Sequence, residues 1–382
     1  MRAGRSIWTV ITLAAILCGG LVVRRCSALD GAPTRKKPVN LTADGTLLLN
    51  GKPFFPIGIY QVNHTGQEYA MLAANGFNAI QGNFATDVPQ FMETLRLAER
   101  HKLAVAVPLH AENLVKENLA KSLDKIRAAA GHPVVLSWKI CDEPDSEIYA
   151  RLRSEVPPAY RAIKALQPGQ PVELTLCQDA TLGRWTKYSD LVEIDRYPVP
   201  GRPLTQVLDF CRRARKEMEP WQNLTYVVQC GWTRDLKTQP TYGQARSMVY
   251  LALIGGAKGI FWYSRKEDEG WDLTTTPLWP RMKEINAEIA SLADPVMFGL
   301  DVPGIRCSKP DVRFACKRHL DKLYLLVTNP VDAPAKAVFT LPAGSHARAA
   351  RLSGTGRLVS LNGESVSIPL GGTDSATVIL EL

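Results

Sequence analysis

The chain has 382 residues and a formal net charge of +9, too long for one small domain and suited to a barrel with an appendage. Apolar residues make up 46% and charged residues 22%, an ordinary globular balance. Arg2, Arg5, Arg24 and Arg25 lie in the first 28 residues, where there are no acids; without these four the charge is +5. It is spread with no Lys/Arg block, which argues against a nucleic-acid partner.

Ile7 to Val23 is a continuous apolar run behind Arg2 and Arg5, with a small-residue exit at Cys26-Ser27-Ala28. Residues 1–28 therefore read as a secretory signal or a membrane anchor, since residues 7–23 are just long enough to span a bilayer. Either way the chain is expected to be exported: periplasmic, extracellular, or anchored and facing outwards. Residues 29–55 read as a polar linker and then a hairpin, LTADGTLLLNGKPFF, with turns at Asp44-Gly45 and Asn50-Gly51. Such a hairpin can plug the bottom of a barrel.

Residues 56–298 alternate strand and helix. The expected strands are Pro56–Tyr60, Asn78–Gln81, Leu103–Leu109, Val134–Ile140, Val172–Leu176, Leu191–Tyr197, Leu224–Cys230 and Gly259–Ser264. Helices are expected over Gln67–Ala74, Val88–His101, Leu114–Ala130, Ser146–Leu166, Leu204–Met218, Tyr242–Ile254 and Leu278–Leu292. Eight strands over about 240 residues fit an α/β class (β/α)8 TIM barrel. A doubly wound sheet usually has a glycine-rich turn after its first strand; here that turn is Gln61-Val62-Asn63-His64-Thr65. From residue 299 to 382 the helical period stops, and short apolar runs such as Leu323–Thr328 and Ala376–Leu380 predict a small β-sandwich.

Six cysteines follow Ala28. Cys307 and Cys316 are the best candidate disulfide pair, and the rest read as small buried residues. No spacing suggests a metal site, and no cofactor is expected.

In a (β/α)8 barrel the residues just past each strand converge on one cleft. The fourth strand, VVLSWKI, is apolar and β-branched and runs into Cys141-Asp142-Glu143-Pro144, where proline ends the ladder. Gln61, Asn63, Asn83, His110, Asp195, Tyr197, Gln229, Trp232, Tyr263 and Glu267 stand at other strand ends. Amides, acids and aromatics with few lysines suit a neutral polyhydroxylated ligand, a carbohydrate, better than a phosphate. Loops are polar by default, so about half of these side chains are expected to be plain surface. Trp138, Trp185, Trp232, Trp262 and Trp271 are candidate sugar-stacking walls, although a tryptophan on a strand, such as Trp138, can equally be core.

Cleaving a glycosidic bond needs an acid for the leaving oxygen and a second group across the ring. Glu143 is the candidate acid, because buried neighbours can raise its pKa. The Trp-x-Ile-x-Asp-Glu-Pro ending of the fourth strand, Asp195-Arg-Tyr-Pro, YLALIGGAKGIFWYS and GTLLLNGKPFFPIGIY occur in an order that resembles the (β/α)8 retaining glycoside hydrolases of the cellulase and β-galactosidase superfamily. The resemblance implies that Glu143 is the acid/base, with Asp142 in place of that group's asparagine. Its seventh-strand nucleophilic glutamate is replaced by Gln229, and an amide forms no ordinary glycosyl ester.

Three routes follow. The enzyme inverts, with Asp195, Glu267 or Asp268 activating water; or the substrate's acetamido group attacks, steered by Asp142; or the barrel binds a glycan without cutting it. Asp195 is the first choice as second carboxylate, with Gln61, Asn63, Asn83, His110, Tyr197, Gln229, Trp232, Tyr263 and Glu267 binding substrate. Serine or cysteine nucleophiles lack their motifs. A Schiff base on Lys139 is disfavoured by its alternation with Trp138 and Ile140, and His64 and His110 read as satisfied polar histidines.

Overall fold

The structure is a computed structural model that describes residues 40–82, 87–109, 119–231, 238–267 and 270–382. The export segment and the candidate residues Asn83, His110, Trp232 and Asp268 lie outside the described residues. Among the described residues no helix is long and apolar enough to cross a membrane.

Eight parallel strands close a barrel: β1 (Ile57–Val62), β2 (Ala79–Gly82), β3 (Ala104–Pro108), β4 (Val135–Asp142), β5 (Val172–Leu176), β6 (Leu191–Asp195), β7 (Asn223–Gln229) and β8 (Ile260–Tyr263). They run in sequence order around the barrel, and β8 closes onto β1 through Ile260 beside Ile57. The longer helices among the described residues are α1 (Gly66–Ala74), α2 (Val88–Arg100), α3 (Leu119–Ala128), α4 (Val156–Leu166), α5 (Gln206–Glu217), α6 (Tyr242–Ile254) and α7 (Trp279–Phe298), and one short helical turn spans Leu182–Trp185. Thr65 caps α1 and Thr241 caps α6, each hydroxyl accepting a first-turn backbone N–H. The helix expected from Ser146 begins only at Val156, with prolines at its first positions, so residues 144–155 form a loop closed by one 3-10 turn.

Two apolar layers follow from strand alternation. Ile59, Val107, Trp138, Ile194, Tyr226 and Trp262 face outwards into the strand–helix core. Tyr60, Ala104, Leu136, Leu191, Val227 and Phe261 fill the barrel together with Leu41 and Leu47 from the N-terminal hairpin. That hairpin caps the N-terminal ends of the strands: Asn223 Nδ2 donates to the Gly45 carbonyl at 2.9 Å. Gly45 has φ +79°, and a Cβ there would meet the Gln222 carbonyl oxygen at 2.5 Å.

The tail is two antiparallel sheets. One runs β9 (Leu300–Asp301), β11 (Arg313–His319), β12 (Lys322–Asn329), β17 (Asp374–Glu381), β14 (Ala349–Leu352). The other runs β10 (Arg306–Cys307), β13 (Ala335–Thr340), β16 (Ser365–Leu370), β15 (Ser360–Asn362). The expected Cys307–Cys316 disulfide is not formed; both thiols are free, one on each sheet. Arg246 of α6 ties the sandwich to the barrel, reaching Glu288 at 2.6 Å and Asp374 at 3.1 Å.

Candidate active site

A cavity of about 820 Å³ opens at the C-terminal ends of the barrel strands. Its wall includes Tyr60 and Gln61 from β1, Asp142 and Glu143 from β4, Thr175 and Cys177 from β5, Asp195 and Tyr197 from β6, Val227 from β7, and Tyr263 and Glu267 from β8. Ile148, Tyr149, Gln178, Arg196 and Arg202 complete the rim.

Glu143 is held at φ +43°, a region that costs a non-glycine residue roughly 1–3 kcal/mol. Its surroundings fix the backbone in place. Its N–H donates to the Thr175 carbonyl at 3.0 Å, and its carbonyl accepts from Ser146 N at 2.9 Å. Arg153 then pins the next turns, donating to the carbonyls of Pro144 at 2.9 Å, Asp145 at 3.2 Å and Ser146 at 3.2 Å. Buried Asp145 holds the facing loop, accepting from the backbone N–H groups of Cys177 at 3.1 Å and Gln178 at 2.8 Å. Gln61, across the cavity at φ +57°, is the other wall residue in this left-handed region.

Glu143 and Asp195 share a hydrogen bond. Burial raises the proton affinity of both; Glu143 raises that of Asp195 further, whereas the hydrogen bond with Asp195 lowers that of Glu143, which Asp142 and Asp145 raise. Two carboxylates in contact in a desolvated site cannot both ionise near neutral pH, so the pair holds one proton between them. Direct contact also places them nearer than the roughly 6.5–9.5 Å an inverting enzyme leaves for its water. Asp195 thus stands directly beside Glu143, where the two can share a proton.

Asp142 is tethered by Lys139, whose Nζ lies 2.9 Å from its Oδ1 and 3.1 Å from Glu193 Oε2 inside the barrel. Tyr60 joins this group through hydrogen bonds with Lys139 and Glu193, and Thr175 Oγ1 donates to Glu193 at 2.7 Å. Burial lowers the Lys139 pKa, but Asp142, Glu193 and Glu173 outweigh it and hold the ammonium well above the usual lysine range. A Schiff-base lysine needs the opposite shift. Burial, then Glu193, pushes neighbouring Glu173 up to about 8.

Gln229 is not part of the cavity wall. It is fully buried, and both ends of its amide are engaged by Val199: Oε1 accepts from Val199 N at 3.0 Å and Nε2 donates to its carbonyl at 2.6 Å. β7 offers the cavity Val227 instead. Asn63 is also drawn away, its Nδ2 donating to Glu68 at 3.0 Å, and His64 Nδ1 lies 2.7 Å from the Tyr69 hydroxyl. Trp138, Trp185 and Trp262 are buried core, while Trp271 covers Gly231, outside the cavity wall. The aromatic surface is built of tyrosines: Tyr197 stacks on Tyr263 at 5.6 Å, and Tyr60 meets Tyr263 edge-on at 5.7 Å.

Sequence reasoning weighed Lys139 only as a Schiff base and overlooked its grouping with Glu193 and Tyr60, as well as Asp145 and Arg153. Parallel strands bury both faces, so an inward lysine or glutamate gives no alternation signal. Pro157 and Pro158 do mark a late helix start and hence a long loop after Glu143.

Fold and cavity together define a (β/α)8 TIM barrel with an open cavity at the C-terminal ends of its strands. No protein-family profile and no curated protein sequence matches the chain. Among similar solved structures is an α-amylase from Geobacillus thermoleovorans complexed with acarbose, with TM-score 0.59, 10% identity, and 86% of this chain and 98% of that one covered. Another is a putative α-galactosidase/melibiase from Bacteroides fragilis, with TM-score 0.59, 13% identity, and coverage of 88% and 80%. A GH30 endoxylanase from Clostridium papyrosolvens gives TM-score 0.51, 11% identity, and coverage of 91% and 100%. At these identities the likeness is one of fold.

Proposed function

We propose that this protein is an exported glycoside hydrolase that cleaves an O-glycosidic bond in an oligo- or polysaccharide, with Glu143 as general acid. The observation that carries the reading is the buried, hydrogen-bonded Glu143–Asp195 pair at the strand ends that line an open cavity. Glu143 delivers its proton to the leaving oxygen, and Asp195 keeps it available near neutral pH. Asp142, fixed by Lys139, orients a substrate hydroxyl or acetamido group. Tyr197 and Tyr263 offer a stacked apolar face to a sugar's C–H groups. The reaction does not follow the route in which a seventh-strand carboxylate attacks, since Gln229 is an amide tied to Val199.

The same tie favours a second reading, a carbohydrate-binding barrel without cleavage. A screen of aryl-glycosides and polysaccharides separates the two. Turnover that falls about 10²–10⁴-fold in Glu143→Gln supports hydrolysis. Glycan binding by calorimetry with no turnover supports the binding reading, and turnover unchanged in the variant refutes the role of Glu143.

A further inference from the structure

Among the described residues four carboxylates line the cavity: Asp142, Glu143, Asp195 and Glu267. Asp142 precedes the acid on the same strand and is neutralised by Lys139. Asp195 touches the acid. Glu267 comes from a different strand end. It follows β8, and in the closed order β8-β1-β2-β3-β4-β5-β6-β7 that strand is four staves from β4 in either direction. The two glutamates therefore enter the cavity from opposite sides of the barrel.

The loop that carries Glu267 is built to hold it. Its backbone N–H donates to the Trp271 carbonyl at 3.0 Å, and its own carbonyl accepts from Gly270 N at 3.2 Å. Arg265, two residues earlier, is buried and clamped between Asp272 at 2.5 Å and Glu68 at 3.3 Å. The carboxylate accepts hydrogen bonds from the hydroxyls of Ser264 and Tyr263. Tyr263 itself lines the cavity and packs against Tyr197 and Tyr60.

We propose that Glu267 is the second catalytic carboxylate, the base that activates water on the face of the sugar opposite Glu143. This rests on the hydrolase reading above. The water oxygen attacks the anomeric carbon and its proton passes to Glu267. The glycosidic C–O bond breaks, and its oxygen takes the proton held by Glu143. The product therefore leaves with inverted configuration.

The test uses the full chain and a pair of aryl-glycosides of the sugar it turns over, one with a poor and one with an activated leaving group. NMR of the first-formed product is expected to show the inverted anomer. Glu267→Gln should lose about 10²–10⁴-fold in kcat on both substrates alike, since a base is needed whatever leaves. Glu267→Asp should keep part of that rate, and both variants should melt with the wild type. A retained anomer, or Glu267→Gln within about threefold of wild type while Glu143→Gln is crippled, overturns the assignment and leaves the hydrolase reading standing. A wild type that turns over no glycoside removes that reading and the assignment with it.

Discussion

Replacing Lys139 by methionine removes the one cation buried between Asp142 and Glu193. The side chain of Asp142 is 44% exposed, so solvent screens its share and the loss falls mainly on Glu193, which is fully buried. Breaking a buried pair and stranding its partner costs roughly 3–5 kcal/mol. A body of roughly 340 residues unfolds with an entropy of about 0.7 kcal/mol/K at ~2.1 cal/mol/K per residue, so Tm should fall by about 4–7 °C. Adding Glu193→Gln should return much of this, because the stranded charge goes with it. A double-mutant cycle in urea, backed by calorimetry, measures that coupling. A Lys139→Met protein that melts within 1 °C of wild type, or a double variant no more stable than the single one, would refute the buried-pair account.

Three further outcomes are expected. Glu173 is raised to about 8 by burial and Glu193, so the folded form binds its proton more tightly than the unfolded chain. That contribution is complete below the ordinary carboxylate range and is lost as pH rises towards 8, so Glu173→Gln should flatten the stability profile between about pH 5 and 8 in pH-dependent urea melts. Asp195→Asn removes the charge that makes the dyad hold its last proton, so the alkaline limb of kcat/KM should move to lower pH. Gln229→Glu sets a carboxylate against the Val199 carbonyl where the amide donated at 2.6 Å; it should cost about 1–3 kcal/mol in urea denaturation and create no retaining activity.

The barrel was legible because strand and helix periods alternate cleanly and Asn75-Gly76 or Gly255-Gly256 mark helix ends. The placement of Glu143 at the cavity was legible because a proline halts a buried strand directly after two acids. What escaped were facts of the third dimension. Val199 lies 30 residues from Gln229 in sequence, so nothing local shows that the amide is spent on a loop. The tryptophans looked like sugar platforms, but on strands covered by helices their size favours the outer core, where Trp138 donates to Gln167 at 3.2 Å and Trp262 to Asn286 at 3.1 Å. β11, RFACKRH, escaped because its charges mask a half-buried strand. The contact between Glu143 and Asp195 joins strand ends about 50 residues apart, and only the closed barrel brings them together.

The account turns on a proton that Glu143 gives to a departing oxygen. Its most direct measurement compares Glu143→Gln with wild type on matched glycosides of poor and activated leaving groups. The account predicts a loss of about 10²–10⁴-fold on the poor leaving group and near-normal cleavage of the activated one, which needs no proton. Equal loss on both, or no loss on either, would contradict it.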